Sequence, residues 1–286
     1  MPVSTRDYGL PLGQKLVQEL QQESRYVFNA AEAQKIGRRL HASNVNDLLH
    51  RLAQAGLIRR LRRGYYAIAA TTPSVPEIPE FYIATRMLEP SAISHWSAMS
   101  HHGLTDQIPR HITAFTPKKF ITPAMRTSGR KKSNDLSKSR QFWEIDHVRY
   151  EYLYVLPRSF FGIEEIWLGE LFKVPITDKE RTLLEGFINP TYFGGFSAIM
   201  SILEQHLASL NLAKLVKYAL QYETGSVIKR LGWAFQQLSV PEQEIAPLRA
   251  ISARGYTLLD PALSREGGYD SQWKIINNLR ASGDSR

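Results

Sequence analysis

Cysteine is absent from all 286 residues. That one gap removes disulfides, thiol catalysis and cysteine-ligated zinc together. No run of about 18 uncharged apolar residues occurs either, so no membrane-spanning helix is expected. The opening segment, MPVSTRDYGLPLG, lacks the apolar stretch of a secretory signal, and a cytoplasmic location is expected. Gly-rich phosphate loops, a nucleophile elbow and paired carboxylates beside a suitable base are also missing. The chain is therefore expected to be no enzyme and to carry no cofactor and no metal.

What is present suffices for folded cores. Hydrophobic residues make up 43% of the chain and charged residues 22%, a balance outside the disordered range, and the length allows one large or two ordinary domains. The net charge of +9 is unevenly spread. Residues 1–72 hold eleven Lys and Arg against five Asp and Glu, and residues 117–140 hold eight against one; the remainder is slightly acidic. Two basic islands in an otherwise balanced chain point to a polyanionic partner, most simply DNA.

The first island has internal order. NAAEAQKIGRRL reads as a helix capped by Asn29 and running through Arg38, because the Asn side-chain oxygen accepts an otherwise unpaired backbone N–H. In HASNVNDLLHRLAQAGLI, the positions Val45, Leu48, Leu49, Leu52 and Ala53 form the stripe of a second helix, with Gly56 just past its last turn. RRLRRGYYAI then reads as a hairpin, Leu57-Ile58 and Tyr65–Ile68 being strands and Arg62-Arg63-Gly64 the turn. An earlier helix is expected over Gly13–Glu23 with Leu16, Val17 and Leu20 inward, and Tyr26–Phe28 is a strand candidate to pair with the hairpin.

Helix, helix and basic hairpin in this order define a winged helix-turn-helix, whose second helix enters the major groove. With the leucine stripe inward, Ser43, Asn46, Asp47 and His50 face out, and Asn44 and Arg51 lie at the margins. Base contacts are assigned to Ser43, Asn44, Asn46 and His50, since Asn pairs bidentately with adenine and Ser and His reach either strand. Asp47 is read as accepting from a cytosine amine or as orienting a neighbouring side chain. Arg38, Arg39, Arg51, Arg59, Arg60, Arg62 and Arg63 are assigned to phosphates or the minor groove. A helical subdomain with a solvated basic edge is the bland alternative.

Beyond Ile68, Pro73, Pro76 and Pro79 recur every third residue, an extended linker pattern. The expected layout is a winged-helix domain at 1–72, a linker at 73–80 and a larger domain at 81–286. In the latter, Phe81–Leu88 and His95–His102 read as helices, the second stopped by Gly103, and Ile112–Thr116 as a strand. The stretch 142–156 reads as one long or two successive strands, and Ile163–Ile176 as two short ones parted near Gly169. Thr177-Asp178-Lys179-Glu180 matches a capping box with Thr177 as N-cap. Helices follow to Ile188 and near 195–207, 211–222, 224–238 and 242–252, then strand pieces at Tyr256–Leu259 and Trp273–Ile276. The fold class is α+β: an N-terminal winged helix-turn-helix, then a mixed sheet with a helical bundle segment.

Three further features carry two readings each. His95, His101 and His102 are a zinc triad or the polar end of a helix; no carboxylate completes a metal site, which favours the helix end. Asp178, Glu180 and Arg181 are an acid–base cluster or a helix cap with an Arg181–Glu185 pair along it. The second basic island, with Lys118, Lys119, Arg130, Lys131 and Lys132, is a solvated tether or a second nucleic-acid contact; Phe120 is its single aromatic, so phosphate contact is favoured over base stacking.

The segments GLIRRLRRGYYAI (56–68), ISHWSAMSHHGLTDQIP (93–109), and TDKERTLLEGF (177–187) with NPTYFGG (189–195) stand in the order they have in the AbiEi antitoxin family of bacterial type IV toxin–antitoxin systems, which the chain resembles over nearly its whole length. The resemblance implies a winged-helix repressor of its own operon that binds inverted repeats in the promoter. It also implies a C-terminal domain that counters a nucleotidyltransferase-like toxin without a stable complex, and a monomer or weak dimer that is cooperative on DNA. Two other classes remain open: a nucleic-acid-processing enzyme targeted by its winged helix, and a protein-interaction module with vestigial DNA binding.

Overall fold

The structure, a computed structural model, describes residues 11–70, 76–119, 140–251 and 254–279. The chain forms two units: Met1–Glu89 with Glu144–Val148 and Ile166–Val174, and Pro90–Trp143 with Arg149–Glu165 and Pro175–Arg286.

The first unit begins with α1 (Leu12–Gln22), β1 (Val27–Asn29), α2 (Ala30–Arg39) and α3 (Val45–Gln54). Leu16, Val17 and Leu20 of α1 and Val45, Leu48, Leu49 and Leu52 of α3 are buried, as their spacing dictates. Asn29 caps α2 through a reciprocal box: its Oδ1 accepts from Glu32 N at 3.0 Å and its own N–H donates to Glu32 Oε2 at 2.7 Å. Gly37 lets α2 and α3 close up, since an added Cβ would run into Val45 Cγ2. β2 (Ile58–Arg62) and β3 (Tyr65–Ile68) form the hairpin, and β1 joins β3 antiparallel to give the order β1-β3-β2. A bulge between Arg60 and Arg62 breaks the register. Ile58 and Leu61 are three residues apart, which strict alternation would put on opposite faces; the bulge buries both and leaves Arg59 and Arg60 exposed. Helix α4 (Glu80–Met87) packs on β1, and the Tyr82 hydroxyl donates to Ser24 O at 2.7 Å.

The second unit holds β4 (Ala92–Ile93), α5 (His95–His101) and β5 (Ile112–Thr116), followed by most of a pair of strands, β6 (Arg140–Ile145) and β7 (Val148–Tyr154), whose turn Glu144–Val148 is counted with the first unit, as is Ile166–Val174 of the next pair. β8 (Ile163–Leu168) and β9 (Phe172–Thr177) complete a mixed six-stranded sheet, β6-β7-β5-β4-β9-β8, parallel where β5 meets β7 and where β4 meets β9. A helical layer follows: α6 (Lys179–Ile188), α7 (Phe196–His206), α8 (Leu212–Tyr222), α9 (Gly225–Gln237) and α10 (Glu242–Arg249). Leu183, Leu184, Phe187, Phe193, Phe196, Leu231 and Phe235 are at the centre of its core. A small sheet, β10 (Thr257–Leu258), β12 (Ile275–Asn277) and β11 (Gly268–Asp270), ends the described chain. The fold class is the α+β architecture read from the sequence; β11, with Gly268 and a polar flank, gave no strand signal.

The capping box assigned to Thr177 is corrected. Thr177 is the last residue of β9, and its hydroxyl meets Thr182 Oγ1 at 2.7 Å. Asp178 is the N-cap, accepting from Arg181 N at 2.8 Å. Glu180 therefore falls one position short of N3, and its carboxylate turns to Asn211 N and Lys214 Nζ, both at 3.0 Å.

Candidate nucleic-acid interface

The outward face of α3 follows from its burial. Ser43, Asn44, Asn46, Asp47, His50 and Arg51 are all exposed, with Asn46 and His50 one turn apart. Asn44 has a local task as well, as its Oδ1 accepts from Asp47 N at 3.1 Å and caps the helix. Its amide nitrogen has no hydrogen-bond partner among the described residues, so a donor remains for a base or phosphate. Asp47 Oδ2 is 3.1 Å from Arg51 Nη2, an i,i+4 pair that orients the arginine. Both side chains are more than half exposed, and a pair of that kind is weak enough to open for a phosphate.

The arginines divide into two groups. Arg38, Arg60 and Arg63 are exposed and have no side-chain partner among the described residues. The others are engaged. Arg39 turns to α1, where it pairs with Glu23 and lies 3.8 Å from Glu19. Its hydrogen bond, followed by that of Arg25, holds the Glu23 carboxyl below the ordinary carboxylate range. Arg59 pairs with Asp146, at the β6–β7 turn 87 residues along the chain. Arg62 is half-buried, donates from Nη2 to Met87 O at 2.8 Å and lies over the Tyr65 ring at 3.8 Å. Arg39 and Arg62 thus tie the unit together in this structure, and the run of four wing arginines reduces to Arg60 and Arg63 as unengaged cations. Gly64, at φ 77°, makes the turn beside Arg63. His41, in the turn between α2 and α3, is exposed at φ 55° and lies outside both helical patterns, so periodicity carries no signal for it.

Of the second basic island, Lys118 and Lys119 are exposed. Arg130, Lys131 and Lys132 lie outside the described residues. The histidines do not converge on a metal. His95 Nδ1 is 2.8 Å from Ser94 Oγ and its ring stacks on Phe193, whereas His102 Nε2 meets Thr177 O at 2.7 Å. Among the described residues no group of three His, Asp or Glu side chains is placed to hold a metal ion, and no helix is long and apolar enough to cross a membrane.

Two helices with an outward polar face on the second, closed by a three-stranded wing, define the winged helix-turn-helix class of DNA-binding modules. Within that class, residues 15–69 match the family described as transcriptional regulator, AbiEi antitoxin, a stretch that includes the segment 56–68. Over the whole chain the fold is shared with the crystal structure of the RV2827C protein from Mycobacterium tuberculosis, at a TM-score of 0.59 and 15% identity, covering 96% of this chain and 94% of that one. No curated protein matches the sequence.

Proposed function

We propose that this chain is a sequence-specific repressor that binds operator DNA, of inverted-repeat form, upstream of its own coding sequence, and that it is the antitoxin of a type IV toxin–antitoxin system. Ser43, Asn46 and His50 read base edges, with Asn44 assisting from its free amide. Arg38, Arg60 and Arg63 meet phosphates directly, and Arg51 and Arg59 join them once their exposed ion pairs with Asp47 and Asp146 open. The second unit counters a nucleotidyltransferase-like toxin in the cytoplasm without a lasting complex. The reading is carried by one observation: the outer face of α3 is a continuous exposed row of hydrogen-bonding side chains on a helix whose other face is fully buried.

Fluorescence anisotropy with duplexes from the upstream region tests it. Asn46→Ala is expected to weaken binding to the operator by about 1–3 kcal/mol and to leave random duplex nearly unchanged. Equal losses on both would remove Asn46 from base reading.

A further inference from the structure

A cavity of about 340 Å³ opens in the second unit, its wall including His95, Arg140, Tyr154, Val155, Glu185 and Tyr222. Its polar end is unusual. His95 and Glu185 are each only 3% exposed. His95 Nε2 and Glu185 Oε2 stand 3.6 Å apart, beyond hydrogen-bond range, and neither atom has a hydrogen-bond partner among the described residues. Arg181 balances the charge from behind, with Nη1 2.7 Å from Glu185 Oε1, but the contact lacks hydrogen-bond geometry and Oε1 stays unsatisfied. His95 Nε2 and Glu185 Oε2 are not among the fully buried unsatisfied atoms, so they remain open to a ligand that enters the cavity.

The chemistry of the wall narrows the ligand. Nε2 faces the Glu185 carboxylate, which favours the tautomer with the ring proton on Nε2 and Nδ1 accepting from the Ser94 hydroxyl; in that tautomer the wall offers one donor beside one acceptor. A planar edge with an N–H next to a ring nitrogen or carbonyl fits that pair, and an apolar ligand leaves both atoms unpaired. Tyr154, Tyr222 and the His95 ring provide aromatic surface. Arg140 lies over the Tyr192 ring at 4.8 Å, and its Nη1 is 3.6 Å from Glu151 Oε1, too long for a hydrogen bond; its side chain is 41% exposed and suits a phosphate or carboxylate. The volume falls in the range of small-molecule and cofactor sites and exceeds what an amino acid needs.

We propose that this cavity binds a nucleoside monophosphate, with the base edge against Glu185 and His95 and the phosphate against Arg140. The second unit then holds a small-ligand site of its own.

Isothermal titration calorimetry on the full chain tests this with AMP, CMP, GMP and UMP, and with inorganic phosphate and L-glutamine. Glutamine presents the same N–H and C=O pair with a carboxylate but no ring. At least one monophosphate is expected to bind with Kd below about 1 mM, with phosphate and glutamine at least tenfold weaker. Arg140→Gln is expected to weaken the monophosphate about tenfold and leave the matching nucleoside unchanged, while Glu185→Gln weakens both. Val155→Phe narrows the cavity without touching a charge, so it reports on the site should Glu185→Gln fail to fold. The proposal is overturned if none of the four monophosphates binds at about 5 mM. Phosphate or glutamine binding as tightly as any nucleotide overturns it too, as does affinity retained in both Arg140→Gln and Val155→Phe.

Discussion

Asn44 is asked to do two things with one short side chain, and the two are separable. Its Oδ1 caps α3, and its amide nitrogen is left without a hydrogen-bond partner among the described residues, beside the exposed Ser43 and Asn46. Asn44→Asp keeps the accepting oxygen and places an anion at a helix N-terminus, so stability is expected to hold within a few tenths of a kcal/mol while DNA binding falls. Asn44→Ala removes the cap and is expected to cost about 1 kcal/mol in stability. Urea titrations beside binding curves check both, and an Asn44→Asp chain that binds DNA like the wild type excludes the amide from the interface. Gly37 sets a different limit. An alanine there is expected to destabilise the chain by about 1–3 kcal/mol through overpacking against Val45. Val45→Ala in the same chain should return part of that loss; strictly additive losses would show that the helices are not in contact at this point. At this scale the sequence shows which residues face out, because burial follows periodicity. It does not show which arginines are engaged: Arg39 answers to Glu23, 16 residues earlier, and Arg62 to a backbone carbonyl 25 residues later.

Elements were the most legible level. The stripes of α1 and α3, the Gly56 stop and the β1–β3 pairing follow from spacing and turn chemistry that are local. The Thr177 misreading shows where local reading fails. Thr-x-x-Glu satisfies the capping pattern, but pairing of β9 beside β4 keeps Thr177 in the strand and passes the cap to Asp178. The α5–α6 contact carries a consequence that no motif announces. Burial is the main cause that lowers the His95 pKa below its ordinary value, and nearby Glu185 and Glu151 only partly oppose it while Arg181 and Arg140 add to it. Protonation then favours the unfolded chain, which binds the proton at about pH 6.5. Stability from this group is complete above that value and is lost as pH falls below it, levelling off beneath the folded pKa. Thermal unfolding between pH 8 and 5.5 is expected to show the wild type losing stability in the acidic part of the range and His95→Gln following a flatter profile. His101 is shifted in the same direction, chiefly by burial, so some slope is expected to survive in the variant. Parallel profiles for the two chains would remove His95 as a source of the acid sensitivity.

For the molecule as a whole, charge is partitioned where secondary structure is not. The winged-helix segment and the 117–140 stretch hold the excess Lys and Arg, and the rest of the chain is nearly neutral. Repression and toxin control are proposed to reside in different parts of this chain, so an alteration confined to the wing should separate them. Arg60 and Arg63 suit the purpose because both are exposed and neither is engaged by another described side chain. Replacing both with Ala is expected to leave the fold intact and to reduce the slope of log K against log salt by about 1.8, since each phosphate contact contributes about 0.9 on duplex DNA. The loss should be similar on operator and on random duplex, in contrast to Asn46→Ala, because phosphates carry no sequence information. In cells, the same double variant is expected to derepress a reporter driven by the upstream region while still protecting against a co-expressed toxin. A variant that keeps the wild-type salt slope places DNA binding elsewhere than the wing. One that loses protection along with repression shows that the antitoxin role depends on the DNA-binding surface and does not reside in the second unit alone.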